Sequence, residues 1–321
     1  TLKQQLVYPL QMRTKSVRDV QLFHFPAHMD GPSWSPARYM LTVLDLIPLV
    51  HAELYKADRP GWRFKLARWL EIQSIKNASH LLAISECTAQ DLERVLGIPR
   101  ERVTVTPLGV DQKFFSHPRV EDEASLRSRL GIPQNRPILL YVGGIDQRKN
   151  WGTLLSTLSH VRDYYREKAA PLPVLVMAGG NENDRQYPKL LSMITEKKLS
   201  DDVVLPGFVS DQDILLLYAI TDVVCFLSLY EGFGLPVLEA MAAGVPVVCS
   251  NTSSIPEVAG DACELVDPTD AKQAADRVIG FLDNSEKALS FAARGICQAE
   301  KFSWSRTGEQ TLLAYEACMR G

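Results

Sequence analysis

The sequence has no long hydrophobic run. Nowhere do roughly 18 apolar residues follow one another, the length a membrane-spanning helix needs. It also has no excess of one charge. Lys plus Arg total 35 and Asp plus Glu 38, a formal net charge of −3. That balance argues against a nucleic-acid partner held by phosphate neutralisation, although a local basic pocket stays open. Cysteine is sparse, with Cys87, Cys225, Cys249, Cys263, Cys297 and Cys318 at neither metal-ligand nor redox spacing, and too scattered for a disulfide framework. Cys225 and Cys249 lie in apolar runs and read as buried free thiols, which favours a reducing, cytoplasmic location. What is present is ordinary globular composition, 46% apolar and 23% charged, excluding a disordered chain, a collagenous repeat and a coiled coil. At 321 residues two domains are expected. The chain shows no secretory leader, but it begins at Thr1 rather than Met, so an upstream segment is expected.

Short apolar runs alternate with amphipathic segments, the pattern of βα units around parallel sheets. Strands are expected at 22–25, 39–44, 81–84 and 103–106, with helices at 62–78 and 87–96, the second stopped by Gly97 and Pro99. Residues 111–136 change character, with Pro118, the acidic Glu121-Asp122-Glu123, Gly131 and Pro133, and read as a linker with one short helix. From Pro137 the pattern restarts. Strands are expected at 138–142, 174–177, 203–205, 223–227 and 246–249, and helices at 189–197, 214–219 and 237–243. Two of these strands run into glycine pairs, Gly143-Gly144 and Gly179-Gly180. The strands are apolar on both faces, so helices should cover both sides of the sheet. Residues 269–320 read as almost all helix, broken at Phe302-Ser303-Trp304. The expected division is 1–110, 111–302 and a terminal helix over 303–321 that crosses back to the first domain. With four strands before the linker, the first domain is expected to lack its first strands. In open parallel sheets ligands bind at the carboxyl ends of the strands, so the chemistry should lie in loops that follow them, facing a cleft between the two domains.

Three such loops stand out. In Tyr230-Glu231-Gly232-Phe233-Gly234-Leu235-Pro236-Val237-Leu238-Glu239, Pro236 suits a first helical position and the amides around Gly234, Leu235 and Val237 suit an anion. Carboxylates repel a phosphate, so Glu231 and Glu239 should meet hydroxyl groups such as those of a sugar. The bland alternative makes Glu239 a dipole-complementing acid and Glu231 a surface residue. In Gly143-Gly144-Ile145-Asp146-Gln147-Arg148-Lys149-Asn150, Arg148 and Lys149 would face a diphosphate, or else form a solvated basic turn. Pro206-Gly207-Phe208-Val209-Ser210-Asp211 could border a nucleobase through Phe208, or simply be a packed turn capped by Ser210 or Asp211.

On these segments, together with Pro107-Leu108-Gly109-Val110-Asp111, Leu82-Ala83-Ile84-Ser85 and Gly244-Val245-Pro246-Val247-Val248, the chain resembles retaining glycosyltransferases of the GT-B fold, family 4, from Leu22 to its end. The resemblance implies an α/β protein of two Rossmann-like domains. It implies that Lys149 and Arg148 bind the donor diphosphate, Glu239 the ribose hydroxyls and Glu231 hydroxyls of the transferred sugar. It further implies that the amides of Phe233 and Gly234 meet the sugar, those of Leu235 and Val237, on either side of Pro236 in the donor loop, the phosphate, and that Phe208 and Val209 border the base; Gly143 and Gly144 lie on the donor side. The resemblance also implies a sugar-nucleotide donor, UDP-glucose being expected over GDP-mannose, and a saccharide or lipid-linked acceptor.

Two departures from the family pattern follow. Where many members have His in Thr-Val-His-Asp-Leu-Ile-Pro, this chain reads Thr42-Val43-Leu44-Asp45-Leu46-Ile47-Pro48. Either that role is lost or His24 or His28 takes it, with Asp45 nearby. The family's first strand and glycine-rich loop have no counterpart before Val20. No side-chain nucleophile sits in the motifs, which fits same-face attack assisted by stabilisation of the leaving diphosphate. No Asp-x-Asp metal motif is read in the site loops, so no metal is expected. The basic, aromatic run Trp62-Arg63-Phe64-Lys65-Leu66-Ala67-Arg68-Trp69-Leu70 reads as a domain helix with a solvated face, or as a dock for an anionic membrane surface. A GT-B-fold epimerase and a non-catalytic sugar-nucleotide-binding subunit are the alternatives to a transferase.

Overall fold

The computed structural model describes residues 3–14, 19–55, 61–116, 118, 123–179 and 183–320. Gly180 and the linker acids Glu121 and Asp122 lie outside the described residues. The chain forms two compact units, one of residues 1–109 with 303–321 and one of 110–302.

The first unit begins with the short α1 (Tyr8–Gln11), followed by β1 (Phe23–Phe25), β2 (Tyr39–Val43), α2 (Ile47–Val50), α3 (Trp62–Asn77), β3 (His80–Ala83), α4 (Glu86–Leu96) and β4 (Val103–Val105). Its four strands are parallel in the order β1-β2-β3-β4. Ser85 caps α4 by accepting from the Thr88 amide at 3.0 Å, and Gly97 ends it in the left-handed conformation, the sequence-expected stop. One face of the sheet packs Leu41, Val43, Leu81 and Ala83 against Ile75 and Leu92.

The second unit runs α5 (Glu123–Arg129), β5 (Ile138–Val142), α6 (Trp151–Glu167), β6 (Val174–Ala178), α7 (Tyr187–Glu196), β7 (Val203–Gly207), α8 (Asp211–Ala219), β8 (Val223–Phe226), α9 (Leu235–Ala242), β9 (Val247–Ser250), α10 (Ile255–Ala259), β10 (Glu264–Val266), α11 (Ala271–Leu282) and α12 (Ser285–Ala299). The last helix, α13 (Trp304–Arg320), belongs to the first unit, where Ala314 and Tyr315 pack on Met40, Leu82 and Leu22.

The second sheet is parallel in the order β10-β9-β8-β5-β6-β7. Its central strands β5, β6, β8 and β9 are buried nearly throughout, as their unbroken apolar character requires. The strand order reverses between β5 and β8, whose Leu139 and Leu140 pair with Val223 and Val224. That reversal is a topological switch point, where open parallel sheets bind their ligands. In the second unit the sequence reading misses β10 and α10, as it misses the four-residue α1 and α2 of the first. β10 is a three-residue edge strand and α10 a five-residue helix, both too short for periodicity to register.

Candidate functional site

The loops after β5 and β8 meet at the switch point, where Arg148, Lys149 and Glu231 come together although about 80 residues separate them in sequence. Glu231 is 7% exposed. Its Oε2 accepts from Arg148 Nη1 at 2.7 Å, and its Oε1 lies 2.7 Å from Lys149 Nζ. The sequence reading treats the two cations and Glu231 as separate contacts; in the structure Glu231 pairs with both. A buried carboxylate between two cations compensates charges that would otherwise be costly to desolvate. Burial lowers the Lys149 pKa, and the Arg148 charge adds to this, while the Glu231 charge opposes it. The Lys149 ammonium also stands 5.0 Å from the Phe226 ring centroid.

Neither cation begins a helix as expected. They lie on a 3-10 turn, Gln147–Lys149, whose end is made by Asn150 in the left-handed conformation. Asn150 can hold that backbone because its side chain is anchored, donating to the carbonyls of Leu227 at 3.0 Å and Pro268 at 2.6 Å. Asp146 caps the turn by accepting from the Arg148 amide, and the Arg148 carbonyl accepts from Leu229, which ties the two loops together. Gly143 has a φ of +153°, and a Cβ there would fall 2.9 Å from the Tyr141 hydroxyl, which donates to the Gly144 carbonyl.

In the loop after β8, Ser254 donates to the carbonyls of Glu231 and Phe233, and Ser253 accepts from the Glu231 amide. Gly234 takes φ +109°, and a Cβ there would lie 2.6 Å from Ile255 Cδ1. α9 starts at Leu235, so Pro236 is its second residue rather than its first. The amides of Phe233, Gly234 and Leu235 meet no acceptor among the described residues, whereas that of Val237 donates to the Gly234 carbonyl. The open amides of this helix start are thus those of 233–235, and that of Val237 is not among them.

Glu239 lies in the second turn of α9, and its carboxyl is pushed up to about 7 by burial, against the stabilising hydrogen bond from Tyr218. The Tyr218 hydroxyl donates to Glu239 Oε2 at 3.2 Å. Sequence reasoning missed Tyr218; the available signal was a tyrosine closing an apolar helix, which when buried needs an acceptor. Phe208 is 89% exposed and Val209 partly buried after β7, while Ser210 caps α8 by accepting from Asp213.

The first-unit candidates are held differently. His24 Nδ1 lies 2.6 Å from the Tyr315 hydroxyl of α13 and Nε2 2.9 Å from Thr42 Oγ1 of β2, so both ring nitrogens are engaged. His28 is 5% exposed, accepts from the Leu44 amide through Nδ1 and pairs with Glu71 through Nε2. Asp45 accepts from the Ile47 amide and opens α2.

A cavity of about 590 Å³ lies at the amino ends of β5 and β8, lined by Pro137, Asp222 and Phe281. Its Arg127 and Arg136 are engaged by backbone carbonyls and carboxylates, so size alone does not mark a site. An Asp-x-Asp does occur at 211–213, but Asp211 pairs with Lys113 and Asp213 with Arg129. Among the described residues no group of three His, Cys, Asp or Glu side chains is placed to hold a metal ion.

Two parallel sheets with a charged, amide-lined site at a switch point define a two-domain nucleotide-binding class. Comparison with known proteins makes this specific. A family model described as glycosyl transferases group 1 matches residues 122–296, and one described as glycosyltransferase family 4 matches residues 11–114. The chain belongs to this family of GT-B glycosyltransferases. It is 32% identical over 282 residues to the O-antigen chain mannosyltransferase B of Escherichia coli, covering 87% of this chain and 70% of the relative. It is 30% identical to the MMP alpha-(1->4)-mannosyltransferase of Mycolicibacterium hassiacum, covering 82% of this chain and 62% of that protein. Among solved structures, a glycosyltransferase from Rickettsia africae superposes with a TM-score of 0.74 at 18% identity, over 98% of this chain and 80% of that one. Anabaena HepE, solved with UDP and glucose, superposes with a TM-score of 0.71 at 21% identity, over 87% and 72%.

Proposed function

We propose that the chain is a retaining hexosyltransferase that moves a sugar from a nucleotide-diphosphate donor to a saccharide or lipid-linked acceptor in polysaccharide or glycoconjugate synthesis. The observation that carries this reading is the Arg148–Glu231–Lys149 cluster beside the open amides of 233–235. In this reading Arg148, Lys149 and the start of α9 stabilise the charge that develops on the departing nucleoside diphosphate while the acceptor hydroxyl attacks the same face. Glu231 holds the two cations apart and faces the sugar, and Glu239 accepts from the ribose hydroxyls. Phe208 and Val209 border the base. No metal takes part.

The transferred group is read as mannosyl, because two relatives at 30% identity or more are named mannosyltransferases. A UDP-glucose donor, favoured on the sequence, is the second reading, in line with the HepE complex. Calorimetric titration with UDP, GDP and ADP on wild type and Glu239→Ala separates them. Selective binding lost in the variant supports the donor site and identifies the base; no binding to wild type would count against it.

Glu239 also sets a pH dependence. Its raised pKa, about 7, means that the acceptor form is populated only as pH rises through neutrality. Below that midpoint nucleotide affinity should fall by up to about tenfold per pH unit. A phosphate group titrates near pH 6 as well, so Glu239→Gln is the control. Its affinity should be weaker and lack the step near 7. An identical profile in both proteins would rule out a carboxylate contact.

We further read α3 as a contact with an anionic membrane face, in keeping with a peripheral, cytoplasmic-side protein. Trp62, Leu66 and Trp69 follow one another at i, i+4 and i+7, with the tryptophans 70% and 55% exposed and Arg63 and Lys65 flanking them. No helix of the described residues is long and apolar enough to cross a membrane. Sedimentation with phosphatidylglycerol vesicles should recover the protein, and Trp62→Ser with Trp69→Ser should abolish recovery. Equal recovery with uncharged phosphatidylcholine vesicles would refute the electrostatic part.

A further inference from the structure

Glu239 has one protein hydrogen bond among the described residues, and its donor comes from outside both site loops. Tyr218, in the last turn of α8, is 1% exposed. Its ring meets Phe114 edge-on, with centroids 5.8 Å apart at 82°. Phe114 is itself buried, on the 3-10 turn Gln112–Ser116. Lys113 pins that turn to the start of α8 through Asp211, 3.2 Å away, and Arg129 of α5 adds a second tie through Asp213.

We propose that Tyr218 is a positioning residue, held by Phe114, that orients the Glu239 carboxylate toward the ribose hydroxyls of the donor. This rests on the reading of Glu239 as the ribose contact. A carboxylate has room for about four hydrogen bonds, and Tyr218 takes one on Oε2, leaving capacity for two hydroxyls. Burial, with the neighbouring Glu239 charge, holds the Tyr218 phenol well above its usual value, so across neutral pH it keeps its proton to donate to the ionised carboxylate. The other charged groups facing Glu239 are Lys113, Asp111 and Asp211; the first favours the ionised carboxylate and the two acids oppose it. Tyr218 is thus the neutral donor that favours the ionised form and at the same time fixes its direction.

The test uses the full chain, with whichever of UDP and GDP binds wild type more tightly and the 2′,3′-dideoxy form of that nucleotide. Tyr218→Phe keeps the ring packing and removes only the donor. Affinity for the ribonucleotide at pH 7 should fall about five- to tenfold, the net value of one ordinary hydrogen bond. The pH midpoint should move upward, and the gap to wild type should narrow by pH 9. The dideoxynucleotide should bind wild type and variant alike. Phe114→Leu should shift the profile in the same direction by less. Equal losses on both nucleotides would make Tyr218 merely structural and overturn the proposal. Wild-type binding by Tyr218→Phe alongside weakened binding by Glu239→Gln would overturn it while leaving the ribose reading intact. Wild-type affinity in Glu239→Gln, or no binding of either nucleotide to wild type, would remove the ribose reading and this proposal together.

Discussion

Lys149→Ala lowers turnover at least tenfold, corresponding to a barrier raised by about 1.4 kcal/mol or more. Lys149 is held beneath the site by Glu231 at 2.7 Å and by the Phe226 ring, so its ammonium is already desolvated and needs little rearrangement to meet a diphosphate. The loss should appear in kcat more than in KM, because charge on the leaving diphosphate grows toward the transition state. Arg148 remains in the variant and accounts for residual activity. Lys149→Arg keeps the charge but brings a longer planar fork to a site fitted to an ammonium, so it should recover only part of the rate. Release of nucleoside diphosphate under saturating donor is the measurement, and near-normal turnover in Lys149→Ala sinks the assignment.

The second large effect concerns stability. Glu231→Gln removes the carboxylate that both cations share and leaves the Lys149 ammonium buried without compensation. Breaking one side of a buried pair costs about 3 kcal/mol or more. For a unit of this size that lowers Tm by roughly 6–12 °C at pH 7. The cost has a direction in pH. Burial already holds the Lys149 pKa below its ordinary value in the folded chain, and losing Glu231 lowers it further. The folded variant then binds fewer protons than the unfolded chain between that lowered value and the ordinary lysine value, so its stability rises with pH across that window. The Tm deficit relative to wild type should therefore shrink from pH 7 toward pH 10. A deficit that stays constant would assign the loss to packing rather than to the stranded ammonium.

Much of the fold was legible because parallel strands covered on both faces read as unbroken apolar runs; the reading of 138–142 coincides with β5, and those of 174–177 and 223–227 differ from β6 and β8 by one residue. Glycine and serine stops marked α4 for the same local reason. The site was legible only in part. Arg148, Lys149, Glu231 and Glu239 could be picked out by residue type and by position after strands. That Glu231 bridges the two cations could not, because nothing local says that β5 and β8 are neighbours. Val237 looked like an anion donor from its place in the helix start, but its amide closes back on Gly234. His24 looked available after its strand until Tyr315, almost 300 residues away, took its ring nitrogen.

By itself the sequence determined the α/β class, the family resemblance and the residues able to carry charge and hydroxyl contacts, since these depend on local pattern and chemistry. The tertiary structure alone decided which charges neutralise one another, which amides remain open, and that a buried tyrosine holds Glu239. Those depend on strand order and on burial, which bring distant residues to one sheet edge and set the cost of leaving each polar group unpaired.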